Sequence, residues 1–167
     1  MTTNEAQSQS SPSADRSPRP PRRTFFRFWR CFWLTFLVAS LAYAWYCYYV
    51  PGNDIAWADD YTSAQQLAAE SGKPMILYFS GTWCVPCRIM KRQVWADEQV
   101  AKIVNAGFVP VTIDVDDPET AAVTSRYRVG ATPITIITDA QGNVLQHEVG
   151  GMNKADFLEL LERVNQL

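Results

Sequence analysis

No charged residue occurs between Arg30 and Asp54. Inside that gap Cys31–Val50 is a 20-residue apolar run, and a helix buried in a soluble domain is rarely so uniformly apolar. At ~1.5 Å rise per residue it covers about 30 Å, the hydrocarbon thickness of a bilayer. Aromatic residues crowd both ends, Phe28, Trp29, Phe32 and Trp33 on one side and Tyr43, Trp45, Tyr46, Tyr48 and Tyr49 on the other. Rings of this kind settle at the two membrane interfaces. The feature divides the chain into residues 1–30, a transmembrane anchor over 31–50, a linker over 51–56, and a folded domain over 57–167.

The charges are distributed unevenly about this span. Residues 1–30 hold six arginines (Arg16, Arg19, Arg22, Arg23, Arg27 and Arg30) against Glu5 and Asp15, so the tail carries +4 and the remainder −6 of a net −2. An acidic domain argues against a nucleic-acid partner. From Met1 to about Arg23 the sequence is Ser, Pro, Gln and Arg with almost nothing apolar, which cannot offset the entropy of ordering, and the tail is expected to be disordered. Its prolines would suit an SH3-like groove, but a charged topogenic flank is the plainer reading. Positive charge before the span places the N-terminus in the cytoplasm and the domain outside, in a periplasmic or other extracytoplasmic compartment where disulfide chemistry has substrates.

A cleaved signal is the competing reading of the span. Ala56-Trp57-Ala58 satisfies an A-x-A site and Arg22-Arg23 resembles a twin-arginine signal. The apolar run exceeds the usual ~7–15 residues, and cleavage would discard Trp57. Both readings export the domain. Cys31 and Cys47 then read as small apolar anchor residues in preference to lipidation sites or a dimer bridge.

The domain alternates helix and strand signals. Ser63 and Gln66 make a capping box for a helix over Thr62–Ser71 that Gly72 ends, and Met75–Phe79 is a buried strand. Asp97 caps a helix with Val100, Ile103 and Val104 on one face, and Phe108–Val115 is a second buried strand. Asp117-Pro118 opens a further helix through Tyr127. Ile134–Thr138 and Val144–Val149 flank a turn at residues 139–143, and Asn153 caps a last helix with Phe157, Leu158, Leu161 and Val164 on its face. A short strand near Ile55–Trp57 precedes this series.

The chemistry is concentrated in Trp83-Cys84-Val85-Pro86-Cys87. Cys84 falls where the first strand hands over to a helix running to Trp95, and unpaired N–H groups with the positive end of the helix dipole favour a thiolate there. Cys87 lies one turn on along the same face, placed to resolve a mixed disulfide. Zinc would need two more ligands. Cys31 and Cys47 belong to another region and His147, the only histidine, reads as a surface residue of an alternating strand. No metal and no cofactor is expected, and a purely structural disulfide is the remaining alternative.

Trp83-Cys84-Val85-Pro86-Cys87, followed about 45 residues later by Ala131-Thr132-Pro133-Ile134, resembles the thioredoxin superfamily, in particular its membrane-tethered, exported members. The resemblance covers roughly Trp57–Leu167. It implies an α/β thioredoxin fold, a central mixed sheet flanked by helices, here behind an N-terminal transmembrane helix. It also implies a cis Thr132–Pro133 bond facing the cysteines, beside which an extended substrate pairs with the backbone of Thr132. Trp83, Val85 and Pro86 become the docking surface around the thiols.

The chain departs from the family at two positions. The buried aspartate usual six residues before the first cysteine is Tyr78, and its accompanying lysine falls at Pro110. A tyrosine with an ordinary pKa near ~10 is a poor base, so Cys87 must lose its proton to water or another group. Asp114 and Asp116 read as solvated strand-end caps. Arg88 is placed either to favour the Cys84 thiolate or to face solvent.

The resulting expectation is an exported, membrane-anchored thiol-disulfide oxidoreductase. It reduces protein disulfides and is recharged by a membrane electron donor. A disulfide oxidase or isomerase, or a client-binding module with secondary redox activity, are the alternatives. The short linker leashes the site near the membrane, since ten extended residues reach only about 35 Å.

Overall fold

The computed structural model describes residues 22–166, which divide into two compact units between Cys47 and Tyr48. Most of the expected disordered tail lies outside the described residues.

The first unit contains helix α1, Arg22–Tyr48, 27 residues long. It begins inside the segment assigned to the tail, so residues 22–30 are helical and not disordered. Nothing after Pro21 stops a helix, and extending one already formed costs little. It also ends at Tyr48, short of Val50. Its stretch Arg27–Tyr48, 22 residues, is long and apolar enough to cross a membrane. The Thr35 hydroxyl donates to the Cys31 carbonyl at 2.8 Å, which satisfies a polar group inside an otherwise apolar helix.

The second unit is a four-stranded sheet in the order β2-β1-β3-β4, with helices on both faces. The elements are α2 (Tyr61–Ser71), β1 (Met75–Ser80), α3 (Val85–Met90), α4 (Glu98–Gly107), β2 (Val109–Asp114), α5 (Ala121–Arg126), β3 (Ile134–Thr138), β4 (Val144–Val149) and α6 (Lys154–Asn165). A π-helical turn, Lys91–Trp95, extends α3, and a 3-10 turn, Pro118–Thr120, precedes α5. β1 pairs in parallel with β2, as a strand–helix–strand crossover allows, and antiparallel with β3, which pairs antiparallel with β4.

Every residue of β1 is buried, so its alternating side chains feed two core layers. Met75, Leu77 and Phe79 meet Ala64, Ala68, Val111, Ile113 and Ile136 on one face. Ile76 and Tyr78 share the other with Cys84, Cys87, Met90, Val94, Trp95, Phe157, Leu160 and Leu161. Trp95 centres this layer, its ring edge-on to Phe157 at 4.7 Å, Trp57 at 4.9 Å and Tyr78 at 5.1 Å between centroids.

Three local expectations are corrected. Asp60, not Ser63, caps α2, accepting the Ser63 N–H at 2.7 Å, because the helix starts at Tyr61. The short strand near Ile55–Trp57 is a single parallel bridge between Ala58 and Val111. The buried face of α6 adds Leu160 to Phe157, Leu161 and Val164, with Leu158 partly buried against the same core. The linker also ends before Trp57: Ile55 is buried, and the Asn105 side chain accepts the Ala56 N–H at 2.9 Å while donating to the Asp54 carbonyl at 2.8 Å.

Candidate active site

β1 ends at Ser80, and Gly81-Thr82-Trp83 turns the chain into α3 with Cys84 as the capping residue. Its backbone is extended, φ −74° and ψ 102°, and its sulfur accepts the Cys87 N–H at 3.2 Å. A sulfur here plays the part that an oxygen of Ser or Asp usually plays at a helix start. Pro86 occupies the first turn, where its missing N–H costs nothing. Cys84 and Cys87 are joined as a disulfide with Cα atoms 5.2 Å apart. Each is only 1% exposed, whereas Trp83 is 63% and Val85 55% exposed. The sulfurs are thus covered, and the surface a partner meets first belongs to their neighbours.

The second motif lies beside the first. The Thr132–Pro133 bond is cis, as the resemblance implied. β3 starts at Ile134 opposite Phe79, so Pro133 stands beside the end of β1. Thr132 and Trp83 line one hollow of about 200 Å³, with Val115, Thr124, Val129, Gly130 and Ala131. On the other side, the Gly150 N–H donates to the Pro133 carbonyl at 2.8 Å, and Gly151 approaches Pro86 to 3.9 Å from where its Cβ would stand. A second hollow, about 420 Å³, opens there between Pro86, Ile89, Met90, Gln93 and the Gly151–Asn153 loop before α6. All seven residues singled out in the sequence, Trp83, Cys84, Val85, Pro86, Cys87, Thr132 and Pro133, come together.

Arg88 is partly buried. Its Nη1 donates to the Thr82 carbonyl at 3.0 Å, clasping the turn that carries Trp83. His147 is exposed, and among the described residues no group of His, Cys, Asp and Glu could hold a metal ion. Tyr78, fully buried, donates its hydroxyl to the Cys87 carbonyl at 3.2 Å. Burial pushes its phenol up to about 12, so it stays protonated and donates.

Two contributors escaped the sequence. A Cβ on Gly81 would stand 3.1 Å from Trp83 Nε1 and 3.2 Å from Asp116 Oδ2, so the indole and the carboxylate meet at the turn with little room to spare. Asp116 follows β2, and only the parallel β1–β2 pairing brings it here. The Gly151–Asn153 loop is the other, and only the Gly150-Gly151 break hinted at it.

Comparison with known proteins agrees with this architecture. Residues 61–165 match the family model described as the thioredoxin-like domain. A thiol:disulfide interchange protein DsbD from Ralstonia nicotianae is 32% identical over 102 residues, which cover 60% of this chain but 17% of that protein. Thioredoxin H5 from Oryza sativa subsp. japonica is 32% identical over 108 residues, covering 64% of this chain and 73% of the plant protein. The solution structure of a thioredoxin from Thermus thermophilus is similar at a TM-score of 0.61 and 29% identity, covering 66% of this chain and 87% of that one. The family match runs from the first residue of α2 to the last of α6 and so takes in the whole sheet and both cysteines: the chain belongs to the thioredoxin-like domain family.

Proposed function

We propose that this protein is a membrane-anchored thiol-disulfide oxidoreductase that reduces disulfides of extracytoplasmic proteins, with Cys84 as attacking and Cys87 as resolving sulfur. The observation that carries the reading is the Cys84–Cys87 pair at the head of α3, with the Cys87 N–H directed at Cys84 Sγ. Once the pair is reduced, that donor and the helix dipole favour a thiolate at Cys84. The thiolate attacks one sulfur of a client disulfide, forming a Cys84–client bond and releasing the other client sulfur as thiolate. Cys87 then attacks Cys84 Sγ, re-forming the Cys84–Cys87 bond and releasing the second client sulfur. The client gains two electrons and the protein's dithiol loses them. A dithiol donor at the membrane returns them.

Trp83, Val85 and Pro86 with the two hollows supply a docking surface, and the Thr132 backbone an edge for an extended client strand. The apolar stretch Arg27–Tyr48 and the arginines before it support an anchor with the N-terminus cytoplasmic. The tether is short, because Asn53 Oδ1 already takes the Trp57 Nε1–H at 2.8 Å and so belongs to the domain. Clients bound to the membrane or assembled at it fit such a leash.

The test is to trap clients with Cys87→Ser in the full-length protein. This leaves the client on Cys84, and the trapped proteins should be exported ones carrying cysteine pairs. A reduction potential near ~−270 mV supports a reductase, and one near ~−120 mV an oxidant. No trapped client, with Cys84→Ser leaving the cellular role intact, would refute the enzyme reading in favour of a client-binding module.

A further inference from the structure

Apart from Trp83, the hollow of about 200 Å³ beside the cysteines is lined by residues of the stretch 115–132. That stretch adjoins a run of carboxylates, Asp114, Asp116, Asp117 and Glu119, of which the last three are exposed. Among the described residues none of the four is in an ion pair; the bridges Lys154–Asp97 and Arg163–Glu148 lie on other elements. Asp116 brings this charge to the docking surface itself, since Asp116 Oδ2 and Trp83 Nε1 both stand within 3.2 Å of the place a Gly81 Cβ would take. The cations nearby are engaged elsewhere or outnumbered. Arg88 holds the Thr82 carbonyl, and Arg126 lies over the Tyr127 ring at 5.6 Å and reaches Gly142, at the end of β3 away from Pro133. Arg128, exposed beside Val129, is the remaining cation of residues 114–132.

We propose that this edge selects clients by charge: the hollow beside Trp83 receives a lysine or arginine side chain that flanks the client's reactive cysteine. The inference rests on the reading of the cysteine pair as a reductant of protein disulfides, and it names which disulfides are taken first. Trp83 precedes Cys84 and lines the hollow together with Thr132, so a side chain seated there belongs to the segment that presents the disulfide. The apolar stem of a long cationic side chain packs on Val115 and Val129, and its head lies over the exposed indole, toward Asp116. An acidic side chain in the same place would be repelled, and an apolar one would leave the carboxylates unanswered.

The hollow on the other side of the pair, beyond Pro86, offers no such match. Asp156 is the charged residue of its lining, and the Asn153 side-chain amide donates to Asp156 Oδ2 at 2.7 Å. The preference therefore belongs to the Trp83 side. Charges at the rim of a contact act chiefly on the rate of encounter and on its salt dependence, so the preference is read as a rate.

The experiment uses the reduced full chain in micelles of an uncharged detergent, in a Cys31→Ser/Cys47→Ser background. The probes are disulfide-linked dimers of a short peptide whose single cysteine is flanked by lysine, glutamine or glutamate. Each reduction rate is divided by the rate with dithiothreitol, which removes the intrinsic reactivity of the peptide. The lysine peptide should be reduced about tenfold faster than the glutamate peptide, with glutamine between them, and the gap should shrink in high salt. Asp116→Asn and Glu119→Gln should each narrow the lysine-to-glutamine ratio about two- to threefold, and Asp116→Lys should invert it. Glu162→Gln, the loss of an exposed carboxylate on α6, should leave the ratio as in the parent. Equal rates on all three peptides would overturn the proposal, as would a shift in Glu162→Gln as large as that in Asp116→Asn, which marks net charge alone. A parent that reduces none of the peptides faster than a free thiol does would instead overturn the assignment of Cys84.

Discussion

Trp95 joins the cysteine helix to the rest of the fold, and its removal should be felt at both levels. The side chain is fully buried at the end of the π-helical turn, edge-on to Trp57, Tyr78 and Phe157. Truncating a buried Trp to Ala costs about 3–5 kcal/mol in lost transfer energy and residual cavity. Three ring contacts at about 0.5–1.5 kcal/mol each fall in the same range, so the two estimates describe one loss and are not added. Against a total stability of about 5–15 kcal/mol this is about a fifth or more. At about 4 °C per kcal/mol for a domain near 100 residues, Trp95→Ala should melt about 12–20 °C below the parent, and Trp95→Phe should lose less than half as much. Thermal unfolding followed by circular dichroism, on the oxidised full chain in micelles, measures it. A drop under about 4 °C would show that the aromatic layer does not hold α3 in place.

Other expectations can be checked on the same preparation. The Asp97 carboxyl is held below its ordinary value first by the Lys154 ammonium at 2.8 Å, Asp60 by the Ser63 N–H, and Asp139 by Asn143. A carboxyl whose pKa is lower folded than unfolded stabilises the fold above its unfolded pKa of ~3.9 and stops doing so as pH falls through the folded value. Melting temperature should therefore fall on acidification below about pH 4, less steeply in Asp97→Asn, and a rise there would contradict the assignment. Gly142 sits at φ +85° with its absent Cβ 3.0 Å from Arg126 Nη2 and 3.1 Å from the Tyr61 and Tyr127 hydroxyls. Gly142→Ala should cost more than about 1 kcal/mol in urea unfolding, and a neutral or stabilising effect would count against this turn geometry.

What could be read from the residues alone was whatever local chemistry decides. Six consecutive apolar or small residues at Met75–Ser80 make a buried strand, a Gly-bearing turn follows, and a cysteine then caps a helix; all of that is written within fifteen positions. Asp97, Asp117 and Asn153 cap their elements for the same reason, each bonding N–H groups two or three residues on. Where two local signals compete, context chooses: Asp60 and Ser63 can each cap a helix, and the chain starts α2 at the earlier one. The π-helical turn at Lys91–Trp95 is invisible to spacing, since adjacent Val94 and Trp95 both turn into the core to meet side chains from β1 and α6. Asp116 at Gly81 and the edge-on meeting of Tyr78 with Trp95 arise only once the sheet is assembled. Tyr78 shows the distinction well, because its departure from the family pattern could be read in the sequence while its bond to the Cys87 carbonyl could not.

The central claim concerns the acidity of one sulfur. In the reduced full chain, with Cys31→Ser and Cys47→Ser removing the other free thiols, the rate of alkylation by iodoacetamide can be followed against pH and the modified cysteine identified by peptide mapping. Modification should fall on Cys84 and titrate well below the ~8.5 of an ordinary thiol, as the Cys87 N–H and the start of α3 require. A midpoint at or above ~8.5, or modification falling on Cys87 first, would contradict the account.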